Sequence, residues 1–210
     1  MLPQMATQLA NEPVELVDEL EVAGALVTGD HFDVDVELVE LLGSRIEGAR
    51  LTGGRFSRSR ITDCVFAACD LSGVTFDDCR FTRVELRDCR LSGLQIAACH
   101  LNDVAFVDCR IDGANFRMVE AVRCELERCD LTDADFYGAT LDGTRFEQCD
   151  LSRVELSKAK LVGASLGGST LDDIRGGDSL RGVTISSTQL VPAALALFSA
   201  LHITIDDEER

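Results

Sequence analysis

The sequence predicts an all-β protein: a narrow, four-sided parallel β-helix closed at its C-terminal end by an α-helical cap. Three observations lead there. From Ile46 to Leu171 every fifth residue is Leu, Ile or Phe, at 25 of 26 positions, with Ala121 the exception. Two residues ahead of each of these centres stands Ala, Gly, Ser, Cys, Thr or Val, and only Leu94 is larger. A longer period of 20 overlies the first: the column Leu51, Leu71, Leu91, Ile111, Leu131, Leu151, Leu171 never holds Phe, whereas Phe56, Phe76, Ile96, Phe116, Phe136, Leu156 is rich in it.

A strict period of five belongs neither to a helix, at 3.6, nor to a strand, at 2. The chain must therefore turn every five residues. One large and one small side chain point inward in each unit and three point outward. Four units make one coil, and 26 units stacked at about 4.8 Å per coil give a rod of roughly 30 Å.

The outer segments read differently. Residues 1–43 form an acidic N-terminal segment and cap, with ten Asp or Glu and no Lys or Arg up to residue 44. Glu12 to Leu20 reads as a short acidic helix, with Asn11 as its cap and Pro13 in its first turn. Val34, Val36, Val39 and Leu41 are spaced as a degenerate first coil. The repeat solenoid proper spans 44–173. In 174–210 the register is lost through Gly176-Gly177 and resumes one residue out of phase at Leu180, Ile185 and Leu190. Pro192 to Leu201 then reads as a helix with Ala194, Leu197, Phe198 and Leu201 on one face. Leu195 stands apart from that face. This helix is expected to cover the last coil, since an open β edge recruits other chains.

Motifs such as Ala114-Asn115-Phe116, Ala134-Asp135-Phe136 and Cys129-Asp130-Leu131 resemble the pentapeptide-repeat family, whose unit is Ala-(Asp/Asn)-Leu-x-x. The resemblance covers 44–173 and implies a right-handed quadrilateral β-helix with a dry, stacked interior. Cys, Val and Ser occur here where the family most often has Ala, which alters packing rather than fold. The resemblance extends in type to quinolone-resistance members of the MfpA and Qnr kind, some of which dimerise through a C-terminal segment. That implies a homodimer surface at Leu195, Leu197, Phe198 and Leu201.

All nine cysteines fall two residues before a centre, and five of them (Cys69, Cys89, Cys109, Cys129, Cys149) are 20 apart. Stacking at about 4.8 Å exceeds the Cβ separation of a disulfide, about 3.8 Å. Spacings of five and ten do not match zinc motifs, and His31, His100 and His202 supply no cluster. These thiols read as inward packing, since free Cys behaves as a small buried hydrophobe. Unpaired buried thiols point to a reducing, cytoplasmic setting.

The 210-residue chain has a formal net charge of −17. That disfavours phosphate contacts and direct nucleic-acid binding and favours a basic protein partner. No apolar run is long enough for a membrane span. No phosphate loop, G-x-S-x-G, HExxH or dinucleotide fingerprint is present, so neither an enzyme, a cofactor nor a metal is expected. Asp135 and Asp150, just before a centre, read as turn residues rather than catalytic acids.

Sorted by side, the two adjacent sides centred on the Ile46 and Leu51 columns carry 14 acids and eight bases, and the other two carry eight and nine. Within the acidic half, Glu125, Glu127, Asp130, Asp133, Glu147 and Asp150 form the candidate interaction surface. The expected function is a non-enzymatic protein-binding or adaptor scaffold. The alternative, implied by the resemblance, is a DNA mimic that binds a type II topoisomerase such as DNA gyrase. Interleaved arginines, as in Arg50, Asp70, Arg90, Arg110, Asp130, Asp150, look more like charge pairing between coils than imitation phosphates. Where Ala121 interrupts the large column, either Met118 or Val122 is expected to turn inward or a small void to remain, at about 2–5 kcal/mol relative to Leu.

Overall fold

The computed structural model describes Pro3 and residues 14–204. Each five-residue unit folds as the pattern requires. The residue two before the centre and the centre itself point inward, and the unit ends in a corner. Corner residues adopt left-handed φ, as at Asp63 (54°), Asp108 (53°), Asp133 (60°) and Gly113 (63°). This is the conformation that Gly, Asp and Asn tolerate best. It lets the chain turn about a quarter circle without leaving the plane of the coil.

Coils stack in parallel with a 20-residue register. Arg80–Arg87 pairs with His100–Val107, Phe81 opposite Leu101 and Leu86 opposite Phe106. An 11-stranded sheet covers the Ile46 and Ile61 sides, and Asp35–Glu37, Arg55–Ser57 and Thr75–Asp77 form a three-stranded sheet on the Phe56 side. The Leu51 side is held by single bridges from Asp30↔Arg50 to Asp150↔Thr170. The result is a right-handed, four-sided β-solenoid.

Every centre from Ile46 to Leu171 is buried, as are all nine cysteines. Phenylalanines stack from coil to coil: Phe116 and Phe136 lie 4.7 Å apart with rings inclined by 13°, and Phe136 meets Phe146 edge-on at 5.9 Å. Offset-stacked and edge-on pairs are the arrangements that ring quadrupoles favour. The thiols line the same interior. Cys69 Sγ donates to the carbonyl of Ile46 at 3.4 Å and Cys149 Sγ to that of Leu126 at 3.3 Å, each reaching to the preceding coil. Burial pushes the Cys64 and Cys124 thiols up to about 11.

One local expectation is corrected and two are narrowed. The first is the helix from Glu12 to Leu20: its first two residues lie outside the described ones, and 14–20 is extended with one turn. Asp18 Oδ1 accepts from the Glu37 amide at 2.9 Å, and the Glu19 amide donates to the Glu37 carbonyl at 2.9 Å. That backbone pairing with the coil competes with a helix and wins, and Leu16 reaches the end of the core with 7% exposure. The coil itself begins at Glu21, which pairs with Glu40 across 19 residues rather than 20. Val36, Val39 and Leu41 are buried within it.

The second is the interruption at Ala121. Neither neighbour turns inward, since Met118 is 59% and Val122 48% exposed. Their outward positions in the five-residue unit are fixed by the ladder on both sides.

The third concerns the cap helix, α1 (Leu190–Ala200). It docks through Ala193 and Ala196, each 6% exposed, and not through the face of Ala194, Leu197, Phe198 and Leu201. Close approach is the reason. A Cβ at Gly177 would stand 2.3 Å from the Ala196 carbonyl oxygen, and one at Gly176 (φ 75°) 2.2 Å from the Ser157 amide nitrogen. Helix and coil are thus too near for any but the smallest side chains.

Gln189, 3% exposed, completes the closure. Its Nε2 donates to the Leu166 and Ser169 carbonyls at 2.7 and 2.6 Å, and its Oε1 accepts from the Ser186 amide at 2.7 Å. Carbonyls that a further coil would have taken are satisfied by one side chain, as buried backbone groups must be.

Phe136→Ala is expected to cost about 3–5 kcal/mol of stability, because it removes a ring engaged with both Phe116 and Phe146. Chemical denaturation checks this; a loss no larger than that of a surface substitution contradicts the stacked-ring account.

Candidate functional site

Outward side chains of successive coils lie above one another at the 4.8 Å strand spacing. A carboxylate and a guanidinium 20 residues apart are therefore neighbours. At the corners this produces four two-pronged pairs in one geometry. Arg83 grips Asp63 (2.6 and 2.7 Å), Arg123 grips Asp103 (2.7 and 2.7 Å), Arg128 grips Asp108 (2.6 and 2.8 Å) and Arg153 grips Asp133 (2.8 and 2.8 Å). In each the Nε and one Nη face the two carboxylate oxygens, the fork arrangement for which arginine is suited. The hydrogen bonds from Arg123, Arg128 and Arg153 hold Asp103, Asp108 and Asp133 below the ordinary carboxylate range.

The six acids of the candidate surface are brought together on two adjacent sides, with unequal fates. Glu125 pairs with Arg145 at 3.4 Å, Glu127 with Arg128, and Asp133 with Arg153. Asp130 lies 3.9 Å from Arg110 and accepts the Thr132 amide at 3.1 Å. Asp150 Oδ1 accepts the Ser152 amide and hydroxyl at 2.9 and 2.6 Å, and Glu147 accepts the Ser165 hydroxyl at 3.2 Å. No described cation pairs with these last two. Glu125, Glu127, Arg145 and Glu147 line a shallow groove of about 460 Å³. Its charge is acidic but largely compensated, and Asp135, like Asp150, uses one oxygen on the amide two residues on.

At the cap, Leu195 is 53% and Leu201 62% exposed, with Leu197 and Phe198 at 37% each. Leu190 and Val191 extend this apolar surface. The side facing the coil is made of alanine, so the large residues of the helix remain outside.

The sequence reasoning missed two features. One is the arginine that closes on Asp133, Arg153, for which the 20-residue spacing was the available signal. Tyr137, the single tyrosine, stands between Arg117 (4.4 Å) and Lys158 (5.0 Å) in cation–π contact, on the Phe56 side that adjoins the acidic wall. Among the described residues no group of three or more His, Cys, Asp or Glu could hold a metal ion, and no helix is long and apolar enough to cross a membrane.

Comparison with known proteins agrees with this architecture. The family described as "Pentapeptide repeat region" matches residues 39–116, 59–136 and 101–176. Among solved structures, a trypsin-treated form of QnrB1, a plasmid-mediated fluoroquinolone resistance protein, is similar with a TM-score of 0.65 at 23% identity, covering 96% of this chain and 99% of that one. HetL, a pentapeptide-repeat protein involved in heterocyst differentiation regulation from the cyanobacterium Nostoc sp. strain PCC 7120, has a TM-score of 0.47 at 16% identity, covering 81% and 91%. No curated protein matches the chain.

The corner pairs generate a pH dependence. The folded-state values of Asp103, Asp108 and Asp133 are depressed, so their contribution is present above the unfolded aspartate value, near 3.9, and is lost as pH falls through the folded values. Stability is expected to decline on acidification below about pH 4, with a shallower decline in Asp133→Asn. Denaturation midpoints measured across that range check it, and parallel curves for the two proteins would refute the pairing.

Proposed function

We propose, from the premise that the chain belongs to the pentapeptide-repeat family, that it is a non-enzymatic scaffold that binds a protein partner through its acidic sides. The observation that carries this reading is that Glu147, in the Glu125–Glu147 groove, and Asp150, three residues on, are in no salt bridge with a described residue and spend their oxygens on hydroxyls and an amide. A basic partner could supply the missing charge. The compartment proposed is the cytoplasm, where nine unpaired thiols suit a reducing medium. Neither direct nucleic-acid binding nor membrane association forms part of the proposal.

A second reading is a DNA mimic directed at a type II topoisomerase such as DNA gyrase. Support comes from the rod shape, the acidic sides and the overall likeness to a fluoroquinolone resistance protein. Against it, arginines hold Glu125, Glu127 and Asp133, so the wall lacks a regular series of uncompensated charges. The scaffold reading is preferred for that reason.

A third element is homodimerisation through the outer face of α1, where Leu197, Phe198 and Leu201 are left exposed. Apolar surface of this kind at the end of a rod suits a self-complementary contact.

Affinity capture with the intact protein is expected to recover a basic partner that is lost from the double variant Glu147→Lys, Asp150→Lys; retention by the variant removes the acidic wall from the proposal. Gyrase supercoiling in the presence of the protein is expected to be unchanged, and inhibition abolished by the same double variant would favour the mimic instead. In sedimentation the protein is expected at twice its 22.8 kDa chain mass, falling to a single chain with Phe198→Glu, Leu201→Glu. A wild-type monomer rejects the dimer.

A further inference from the structure

Beside the cap stands a corner carboxylate, Asp173, without the two-pronged arginine that closes four other corners. Asp173 has φ 53°, the conformation of Asp63, Asp103, Asp108 and Asp133, each of which is gripped by an arginine 20 residues later. No such arginine follows Asp173: the advance shortens to 19 residues between Ser165 and Thr184, and Pro192 and Ala193 already belong to α1. The arginine one coil below, Arg153, is committed to Asp133 through both prongs. No described cation is paired with Asp173 or with its neighbour Asp172.

Beside this corner, the last coil and α1 enclose a groove of about 410 Å³. Asp172 and Asp173 stand on one wall and Pro192, Leu195 and Ser199 on the other, with Ile174 and Ala196 buried at its base. Arg175 at the rim is already neutralised by Glu155 at 3.0 Å. Around the helix, Pro192, Leu195 and Ser199 lie on one flank of the coil-facing alanines, nearly half a turn away from Leu197 and Leu201. The groove is therefore distinct from the outer apolar face.

We propose that this groove docks an arginine-bearing amphipathic segment of a partner protein. The partner's guanidinium takes the place of the absent next-coil arginine on Asp173, and an adjacent apolar side chain packs on Leu195 and Pro192. Charge complementarity selects the occupant: the groove offers two carboxylates, Asp172 and Asp173, that are in no salt bridge with a described residue, next to apolar surface, on a chain of net charge −17. Arginine is preferred to lysine, because the corner geometry is built for a two-pronged donor. The inference rests on the protein-binding reading above and assigns it a second, separate contact.

Fluorescence anisotropy of the full-length protein with a labelled peptide alternating arginine and leucine tests this. A counterpart peptide with lysine in place of arginine, and the variants Asp173→Asn, Leu195→Ser and Asp88→Asn, complete the set. The arginine peptide is expected to bind wild type, more weakly as the lysine version, and about fivefold more weakly to Asp173→Asn and to Leu195→Ser, close to 1 kcal/mol. Asp88→Asn, remote and exposed, is expected to behave as wild type. Equal binding by wild type and Asp173→Asn overturns the proposal. So does absence of binding to wild type, including the case in which a second copy of the chain fills the groove. If Glu147→Lys, Asp150→Lys abolishes peptide binding while Asp173→Asn does not, the groove assignment fails and the acidic-wall reading stands. The converse result supports the groove and counts against the wall.

Discussion

Parallel stacking with a fixed advance of 20 residues is the constraint on which the rest of this molecule depends. Each coil is hydrogen-bonded to the next on four sides, so every residue has a defined neighbour one coil away. Inside, this stacks large apolar centres on large ones and small side chains on small ones, with the thiols of Cys69, Cys89, Cys109, Cys129 and Cys149 in one column. Outside, it turns a linear alternation of Asp and Arg into vertical ion pairs. The same rule that builds the core also discharges the surface.

Both ends of the rod follow from that constraint. Where the advance slips to 19 residues, between Glu21 and Glu40 and between Ser165 and Thr184, the regular coil gives way to a cap. At the N-terminal end the chain closes on itself through Asp18, Glu19 and Leu16. At the C-terminal end the amide of Gln189 replaces a coil's worth of donors to Leu166 and Ser169. The helix then rests on glycine and alanine, and its bulky residues are displaced outward. An apolar face and an acidic corner without a two-pronged arginine thus arise at the same end, where the ladder stops.

Much of this was legible in the chain itself. Nine cysteines confined to one position in five left little room for chemistry, and all nine are buried in the stack. Val36, Val39 and Leu41, though off the consensus, kept its spacing and are buried as well. The candidate acidic surface was only half legible. Glu125, Glu127, Asp130, Asp133, Glu147 and Asp150 do share two adjacent sides, yet adjacency in a column does not say which oxygen a guanidinium reaches. Arg153 cancels Asp133 while Asp150 turns to Ser152, a choice made by side-chain geometry at a corner.

The sequence by itself determined the solenoid, its four sides, its inward and outward residues and the burial of its thiols, because a period of five recurring within a period of 20 admits a single stacked arrangement. Only the tertiary structure decided which carboxylates keep their charge and which face of the cap helix stays open. Those depend on contacts between coils and on the distance of closest approach at Gly176 and Gly177, where Ala193 and Ala196 fit and leucine does not.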